Sequence, residues 1–349
     1  MKKTTLIIAH FDFGNREVVH IMPKVTVVIP AYNAESCIER CARSVLYQTL
    51  NDIEILFFND GSTDRTGAIL DELVKGHVNA RVIHQDNMGV FHTRARAIGE
   101  AKGDYVGWVD ADDFIELDMI ETLYNLAVAS DSELAYCDYQ YQPEPVGTKQ
   151  KWFRKFEGKR DVHYVERNSQ FWNKLIKREL LIRLHIPEML PVCFEESMIK
   201  VLLKAKNPVW TDKQLYHYTV LPGSMSSRYK NIEYYKAFIQ SSENLAKYMI
   251  LEFKDKYWKD YFIFRVVYYY MMAMIVAANA GNRREYENLR QQLREKCPKY
   301  GRNQHFWPVM NDIYGWLKAI VIRIIVPNCY GLTRVLCRLQ FHAGGVQAK

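Results

Sequence analysis

Solid apolar runs alternate with amphipathic segments over the first part of the chain. The β-branched run at residues 25–30 is followed by Ile38, Cys41 and further apolar residues at helical spacing. The same succession recurs, and strands are predicted at residues 25–30, 53–58, 81–84, 105–109 and 134–137. Asn33 is a plausible N-cap for the first helix. Strands that are apolar throughout and alternate with helices predict an α/β doubly wound, mostly parallel sheet.

The pattern changes beyond Arg228, where Tyr, Phe, Met and Lys recur at helical spacing with few turn signals. Helices alone are predicted there, with breaks at residues 281–284 and 301–304. The sequence is therefore divided into an N-terminal extension (1–22), an α/β domain (23–227) and a helical, basic C-terminal region (228–349). The longest apolar run, residues 266–278, has 13 residues, whereas a membrane span needs about 20. It is interpreted as a buried or interfacial helix.

The basic charge is concentrated at one end of the chain. The net charge is +7, from 47 Lys and Arg against 40 Asp and Glu. Residues 288–349 carry ten of the basic residues and two of the acidic ones, which leaves the remainder at −1. Such asymmetry indicates an anionic surface, either phospholipid or nucleic acid, as a partner of this end. A solvated basic helical tail explains the same charge.

Cysteine usage and the first residues bear on the compartment. The seven cysteines show no CxxC spacing, so zinc or redox chemistry is not indicated and a reducing compartment is the simplest interpretation. The first 21 residues contain only a short apolar run, and no signal peptide is recognised. A cytoplasmic protein is expected.

Polar and acidic residues follow three of the predicted strands. Ligands of a doubly wound sheet bind at the carboxyl ends of the strands. The three ends read Pro30-Ala31-Tyr32-Asn33, then NDGSTD at residues 59–64, and Asp110-Ala111-Asp112-Asp113. Neither GxGxxG nor GxxxxGK[ST] follows the first strand, which disfavours dinucleotide and P-loop sites. Nucleotidyl transfer on a similar fold is disfavoured for the same reason.

The acidic run after the fourth strand predicts a divalent cation site. Three carboxylates within four residues would repel one another in a dry pocket. Mg²⁺ or Mn²⁺ is held by one or two carboxylates together with substrate phosphates and water, and Asp112 is the principal candidate ligand. For Asp113, an acidic turn beside a helix N-terminus is the alternative explanation.

Five motifs in a fixed order resemble the family 2 glycosyltransferases. They are VTVVIPAYNAE, NDGSTD, Asn87-x-Gly89 with Arg94, AKGDYVGWVDADD and FWNKLIKRELL. The resemblance covers about residues 24–226 and implies a GT-A fold with an α-helical C-terminal extension. It also implies metal-dependent transfer of a sugar from a nucleotide diphosphate, commonly a UDP-sugar, to an acceptor hydroxyl with inversion.

The resemblance implies a role for each matching residue. Pro30, Ala31, Tyr32 and Asn33 would line the nucleotide site, and Asp60 would hydrogen-bond the base. Arg94 would approach the diphosphate, Asp110 and Ala111 the ribose or sugar, and Asp112 the metal, with His217 as a second candidate ligand. A structural histidine is the alternative for His217.

A carboxylate pair in the second half of the domain matches the family's catalytic base. Inverting transfer needs a group that removes the acceptor proton, and Glu196 is placed in that role with Glu195 as second candidate. The family usually has Asp at this position, and the extra methylene would move the carboxylate. Ala95 and Ala97 also replace the usual Asn and Gly beside Arg94.

Four functions are compatible with parts of this sequence. The favoured one is a glycosyltransferase in surface or exported polysaccharide synthesis, with a saccharide or lipid-linked saccharide as acceptor. The others are nucleotidyl transfer, a sugar-nucleotide-binding or scaffold subunit with weakened catalysis, and nucleic-acid binding by the basic tail. The apolar and basic residues near the C-terminus, including Trp307 and Arg323, fit helices lying on the inner face of the cell membrane. Packing on the catalytic domain or on a second copy of the chain, as in a homodimer, is the opposing explanation.

Overall fold

The computed structural model describes residues 22–142, 162–220, 231–314 and 316–338. Eight strands form one sheet: β1 (Val25–Ala31), β2 (Ile53–Asp60), β3 (Ala80–Gln85), β4 (Tyr105–Trp108), β5 (Phe114–Ile115), β6 (Leu134–Gln142), β7 (Lys174–Lys177) and β8 (Val209–Thr219). Their order across the sheet is β3-β2-β1-β4-β7-β6-β8-β5. The pairs β1–β2, β1–β4, β2–β3 and β6–β8 are parallel. The predicted mostly parallel sheet is therefore present.

Antiparallel strand β7 joins the two parallel parts of the sheet. It pairs with β4 on one side and β6 on the other, and β5 pairs antiparallel with β8. The strands β5, β7 and β8 were not among the predicted elements. β5 has only two residues, and an isolated short segment carries no periodicity that a sequence pattern can reveal.

Eight helices accompany the sheet in the described part of the first 220 residues. They are α1 (Ile38–Leu46), α2 (Thr66–Leu73), α3 (Val90–Glu100), α4 (Met119–Ala129), α5 (Val162–Asn168), α6 (Arg178–Arg183), α7 (Ile186–Cys193) and α8 (Ser197–Lys204). A 3₁₀ turn, Phe194–Glu196, connects α7 to α8. The expected capping of α1 by Asn33 is wrong, because the helix begins later and Cys37 occupies its N-cap.

The described residues beyond 230 contain helices only, as predicted. They are α9 (Ile232–Glu252), α10 (Lys256–Asn279), α11 (Arg283–Lys296), a 3₁₀ turn (Tyr300–Arg302), α12 (Phe306–Tyr314), α13 (Trp316–Ile320), a π-helical turn (Val321–Ile325) and α14 (Tyr330–Arg338). Breaks lie near both predicted positions. The predicted extension (residues 1–21 of 1–22) and the boundary at residues 227–228 lie outside the described residues.

Helix α10 is the core of the C-terminal region. Among the described residues it is the one helix whose length and composition would allow it to cross a membrane. Of its most apolar 18-residue stretch, 72% is buried inside the protein. It packs against α9, α11 and α14. Residues 266–278 were interpreted as a buried or interfacial helix, and this burial favours the first of the two.

Gly103 allows β4 to begin close against β1. A Cβ atom at this position would lie 2.4 Å from the Thr26 backbone nitrogen and 2.6 Å from the Val25 carbonyl carbon. The Gly103 N–H also donates to Thr26 Oγ1 at 2.9 Å. Only a residue without a side chain fits beside these backbone atoms. This contact fixes the position at which β4, the strand that Asp110 follows, enters the sheet.

Candidate active site

The parallel pairing brings the predicted strand-end residues to one edge of the sheet. Ala31 at the end of β1 pairs with Asn59 near the end of β2, and Asp110 follows β4 on the other side of β1. Pro30 and Ala31 are buried, whereas Tyr32 is 52% exposed. The exposed ring of Tyr32 is thus available at the surface beside the strand ends.

Asn33 joins the first two strand-end loops. Its φ of 48° lies in the left-handed region, which Asn tolerates better than most residues. The Asn33 side-chain oxygen accepts from the Thr63 N–H at 2.8 Å, and its own N–H donates to Ser62 Oγ at 3.1 Å. The side chain expected to cap a helix therefore holds the two loops together.

Asp60 organises the loop that follows β3. It is 3% exposed, and its carboxylate accepts from Met88 N at 2.9 Å, Gly89 N at 2.9 Å and Gln85 Nε2 at 2.7 Å. A carboxylate offers about four acceptor positions, so most of them are used within the protein. Asp60 is at the predicted place, and its described contacts are with this loop.

Arg94 and Asp110 form a close ion pair. Arg94 Nη2 lies 2.6 Å from Asp110 Oδ1, with side-chain exposures of 3% and 26%. Helix α3 therefore presents its arginine to the end of β4. The guanidinium also lies over the rings of Phe91 and Phe171, at 5.9 and 5.5 Å from their centroids. This packing fixes the direction of the Arg94 side chain.

The three aspartates of the acidic run occupy different environments. Asp113 is 1% exposed and accepts from Tyr216 Oη at 2.6 Å and Thr219 N at 2.7 Å. Burial and the two neighbouring carboxylates raise the pKa of Asp113 well above its ordinary value. Asp112 is half-buried, and burial followed by the charge of Asp110 raises its pKa to about 6. Ala111 lies half-buried between them.

Arg40 contacts the acidic loop of the candidate site, and the sequence pattern did not reveal it. It lies on α1, and its Nη2 donates to the Asp112 carbonyl at 3.0 Å and to Thr219 Oγ1 at 2.9 Å. Its guanidinium also lies 4.5 Å from the centroid of the Phe114 ring. Arg40 thus holds the acidic loop against β8. An exposed arginine on a helix has no sequence signal for such a contact.

Asp110 and Asp112 have the chemistry of a partial cation site. No group of three or more His, Cys, Asp and Glu side chains that would hold a metal alone occurs within the described ranges. Mg²⁺ and Mn²⁺ characteristically take only one or two carboxylates and complete their coordination with phosphate oxygens and water. Burial and then the charge of Asp110 raise the pKa of Asp112, and a bound cation would offset the repulsion between the two carboxylates. These residues therefore fit a cation that arrives with a diphosphate.

His217 has partners for both ring nitrogens. Nε2 lies 2.7 Å from Glu116 Oε1, and Nδ1 lies 2.8 Å from Gln140 Nε2. The ring also stacks on Phe114 with centroids 4.2 Å apart, and the residue is 5% exposed. These contacts match the structural alternative for His217, because neither nitrogen has an open lone pair for a metal.

Glu196 lies in a buried cluster with the C-terminal helices. It is 2% exposed, and its oxygens accept from Ser241 Oγ at 2.7 Å, Ser242 Oγ at 2.6 Å and Arg265 Nη2 at 2.8 Å. This ion pair was not foreseen. The side chain of Glu195 lies outside the described residues, although its backbone belongs to the 3₁₀ turn.

Relatives of this chain are glycosyltransferases. EpsJ of Bacillus subtilis, described as an uncharacterized glycosyltransferase, is 30% identical over 59% of this chain and 64% of its own length. Glycosyltransferase GlyG of Streptococcus pneumoniae is 30% identical over 58% of this chain and 72% of its own. Chondroitin synthase of Pasteurella multocida is 39% identical over 30% of this chain and 11% of its own. The match thus spans less than two thirds of EpsJ.

Solved structures share the fold. TarS of Staphylococcus aureus, in complex with UDP-GlcNAc, superposes with a TM-score of 0.67 at 17% identity, over 91% of this chain and 92% of its own. The mannosyltransferase PcManGT of Pyrobaculum calidifontis, with GDP-Man and Mn²⁺, gives 0.51 at 14% identity, over 92% and 88%. The predicted GT-A fold with a helical C-terminal region is confirmed.

The family profile gives the same assignment from sequence. The profile of Glycosyl transferase family 2 matches residues 26–186, which include β1 to β4 and the strand-end loops described above. Together with the relatives and the shared fold, this match decides the family. The chain belongs to glycosyl transferase family 2.

Proposed function

We propose that this glycosyltransferase moves a sugar from a UDP-sugar to an acceptor hydroxyl with inversion, assisted by Mn²⁺ or Mg²⁺. The observation that carries the proposal is the Arg94–Asp110 pair with Asp112 beside it, at the edge where β1, β2 and β4 end. A nucleotide lying along this edge would meet Tyr32 and Asn33 at one end. Its diphosphate would lie near the acidic loop.

The chain's own residues would bind and orient the donor. Pro30, Ala31 and Tyr32 would flank the base, and Asp60 would shape the loop around it while offering its remaining acceptor position. Arg94, which holds Asp110 at 2.6 Å, would direct that carboxylate to the ribose or sugar hydroxyls, with Ala111 leaving room beside it. Charge-assisted hydrogen bonds of this kind are among the stronger ones in proteins.

Asp112, with Asp110 nearby, would hold the cation. When bound, Mn²⁺ or Mg²⁺ would neutralise the charge that develops on the departing UDP. Arg40 would keep the acidic loop in place through the Asp112 carbonyl. We leave His217 out of the cation site, because its two ring nitrogens are already engaged.

We place the acceptor base in the Phe194–Glu196 turn, on Glu195. A base must offer an open lone pair to the acceptor hydroxyl, and Glu196 would first have to give up a hydrogen bond to Ser241, Ser242 or Arg265. The sequence had favoured Glu196 as the base with Glu195 second, and the proposal reverses that order. The proton would move from the acceptor oxygen to the carboxylate as that oxygen bonds to the anomeric carbon and UDP leaves.

Glutamine substitutions distinguish the two glutamates. Glu195→Gln is expected to lower kcat on the order of 10²–10⁴-fold while the Kd for UDP stays unchanged, because a base acts in the transition state. Glu196→Gln is expected to lower the urea midpoint as well as kcat, because it removes the charged partner of buried Arg265. Steady-state kinetics and urea titration provide the measurements. Full activity of Glu195→Gln would show that Glu195 is not the base and would favour Glu196 in that role.

A sugar-nucleotide-binding or scaffold subunit is the competing function. The buried ion pair of Glu196 and the presence of Ala95 are the observations that favour it. A panel of UDP-glucose, UDP-galactose and UDP-GlcNAc, incubated with and without Mn²⁺, separates the two functions by UDP release. Binding of a UDP-sugar without any release would support the scaffold and refute the enzyme.

We propose polysaccharide synthesis at the cytoplasmic face of the membrane as the setting. The similarity to chondroitin synthase supports a saccharide acceptor, which a lipid carrier would present at the membrane. Four exposed apolar side chains lie in the described residues from α12 onward: Trp307 (40% exposed), Ile324 (54%), Leu332 (44%) and Val335 (50%). Arg323 lies over the Trp307 ring at 4.6 Å. Basic and apolar groups together suit an anionic phospholipid surface better than nucleic acid, and a homodimer contact is the competing use of these side chains.

Liposome co-sedimentation tests this surface. The full chain is expected to sediment with anionic liposomes at low salt, since each basic residue near the surface contributes about 1 kcal/mol. The triple variant Ile324→Ser, Leu332→Ser, Val335→Ser should lose most of the binding. Val78→Ser with Leu251→Ser, which changes exposed apolar residues before α12 (104% and 86%), is the matched control. Equal binding by all three proteins would remove the membrane from the proposal, and a shift in molecular mass with the triple variant would indicate a dimer.

A further inference from the structure

The Phe194–Glu196 turn is held from two sides. On one side the Phe194 ring stacks on Phe91 of α3, with centroids 4.7 Å apart and an interplanar angle of 25°. On the other side the same ring meets Phe238 of α9 edge-on at 6.0 Å. Since α3 also carries Arg94, the turn is linked by packing to the ion pair at the end of β4.

The backbone of this turn is strained. Phe194 has φ 49° and ψ −143°, a combination that costs a non-glycine residue on the order of 1–3 kcal/mol. The Phe194 carbonyl accepts from Ser197 Oγ at 2.8 Å, which is a local contact. Such strain persists only where the surroundings fix the conformation, so other contacts must hold the turn.

Arg265 supplies the strongest of those contacts. It lies on α10, 69 residues further along the chain, and reaches Glu196 Oε1 with Nε at 3.1 Å and Nη2 at 2.8 Å. The side-chain exposures are 8% for Arg265 and 3% for Glu196. Its guanidinium donates as well to Tyr261 Oη and Tyr269 Oη, at 3.4 and 3.3 Å. These bonds therefore hold the Arg265 guanidinium in one orientation on α10, the core helix of the C-terminal region.

We infer that Arg265 is a positioning residue, which holds the Phe194–Glu196 turn in its strained conformation and thereby places the acceptor side of the catalytic site. The inference deepens the proposed function and rests on it. The C-terminal helices then complete the catalytic site in addition to any role in membrane binding. Lysine cannot replace Arg265 in this role, because a single ammonium cannot form the two directed bonds of a guanidinium.

Arg265→Lys is the test, with Arg183→Lys as a matched control. Arg183 also binds a buried glutamate through Nη2, to the two oxygens of Glu133 at 2.9 and 3.1 Å. Glu133 directly precedes β6 and Arg183 is the last residue of α6, so this pair is away from the carboxyl ends of the strands. Hydrogen–deuterium exchange of the peptide covering residues 192–199 is measured alongside kcat and the donor KM for the UDP-sugar that the wild-type chain cleaves fastest.

Arg265→Lys is expected to raise exchange in residues 192–199 at least fivefold and to lower kcat about tenfold, with the donor KM within twofold of wild type. Arg183→Lys should change none of these. Unchanged exchange in Arg265→Lys would overturn the inference, and so would faster exchange with unchanged kcat, which would leave Arg265 a purely structural residue.

A milder variant covers the case in which Arg265→Lys does not fold. Ser242→Ala removes one donor to Glu196 Oε1 and keeps the ion pair, and it should raise exchange in the same peptide by a smaller factor. No change there would contradict the inference. If the wild-type chain releases UDP from no sugar nucleotide, the proposed function fails. The exchange measurement then decides separately whether Arg265 orders the turn.

Discussion

Asp112→Ala is expected to lower cation-dependent UDP release by at least on the order of 10³-fold. The carboxylate is the principal proposed ligand of the cation, and charge stabilisation of a leaving group by a metal is worth several kcal/mol, at about 1.4 kcal/mol per tenfold in rate. The fold should survive, because Asp112 is half-buried and its carbonyl, which the substitution retains, is the group that accepts from Arg40. UDP release is measured across a Mn²⁺ titration.

The stability of the same variant separates catalysis from folding. Burial and then repulsion by Asp110 raise the pKa of Asp112 to about 6, so removal of this carboxylate should leave the urea midpoint unchanged or raise it. Asp71→Ala serves as the control for loss of an acidic residue, since Asp71 lies on α2, its side chain is 55% exposed and it pairs with His84. A variant of Asp112 that kept most of its Mn²⁺-dependent activity would disprove the assignment.

Gly103→Ala is expected to destabilise the protein by about 3 kcal/mol or more, at the upper end of the usual cost of overpacking. Its Cβ would lie 2.4 Å from Thr26 N and 2.6 Å from Val25 C. Both are backbone atoms of the β1 region and cannot rotate away. Because β1 is fully buried and pairs with β2 and β4, a shift there disturbs the centre of the sheet.

Gly99→Ala gives the contrasting result. Gly99 lies within α3, and a Cβ there would meet nothing within 4 Å. Alanine at such a helical position should stabilise the protein by about 0.5–1 kcal/mol. Urea titrations of the two variants give the comparison. Equal midpoints would show that the contact between Gly103 and the β1 backbone is relaxed in solution.

The parallel part of the fold was predictable because its elements are continuous and apolar. β1, β2 and β4 are buried along their whole length, so each leaves a solid hydrophobic run in the sequence. β8 escaped prediction for the opposite reason, since its middle residues Asp212, Lys213 and Gln214 are exposed. The two-residue β5 depends on pairing with β8, and partners distant in sequence give no local pattern.

The site was predictable as a location more than as a set of contacts. Motifs at strand ends located Asp60, Asp110 and Asp112, because the topology of parallel sheets directs such residues to one edge. What those side chains touch depends on residues far away in the chain. Arg40 reaches Thr219 and Arg265 reaches Glu196 across separations of 179 and 69 residues, and no spacing rule connects them.

The buried carboxyl group of Asp113 determines which fragments of this protein can fold alone. Its two partners, Tyr216 Oη and Thr219 N, lie on β8, beyond the last residue of the family profile match at 186. A fragment that ended there would leave this group without donors and would expose the edge of β6 that β8 now covers. The segment defined by family similarity is therefore shorter than the unit that folds, and expression of that segment alone should yield aggregated protein.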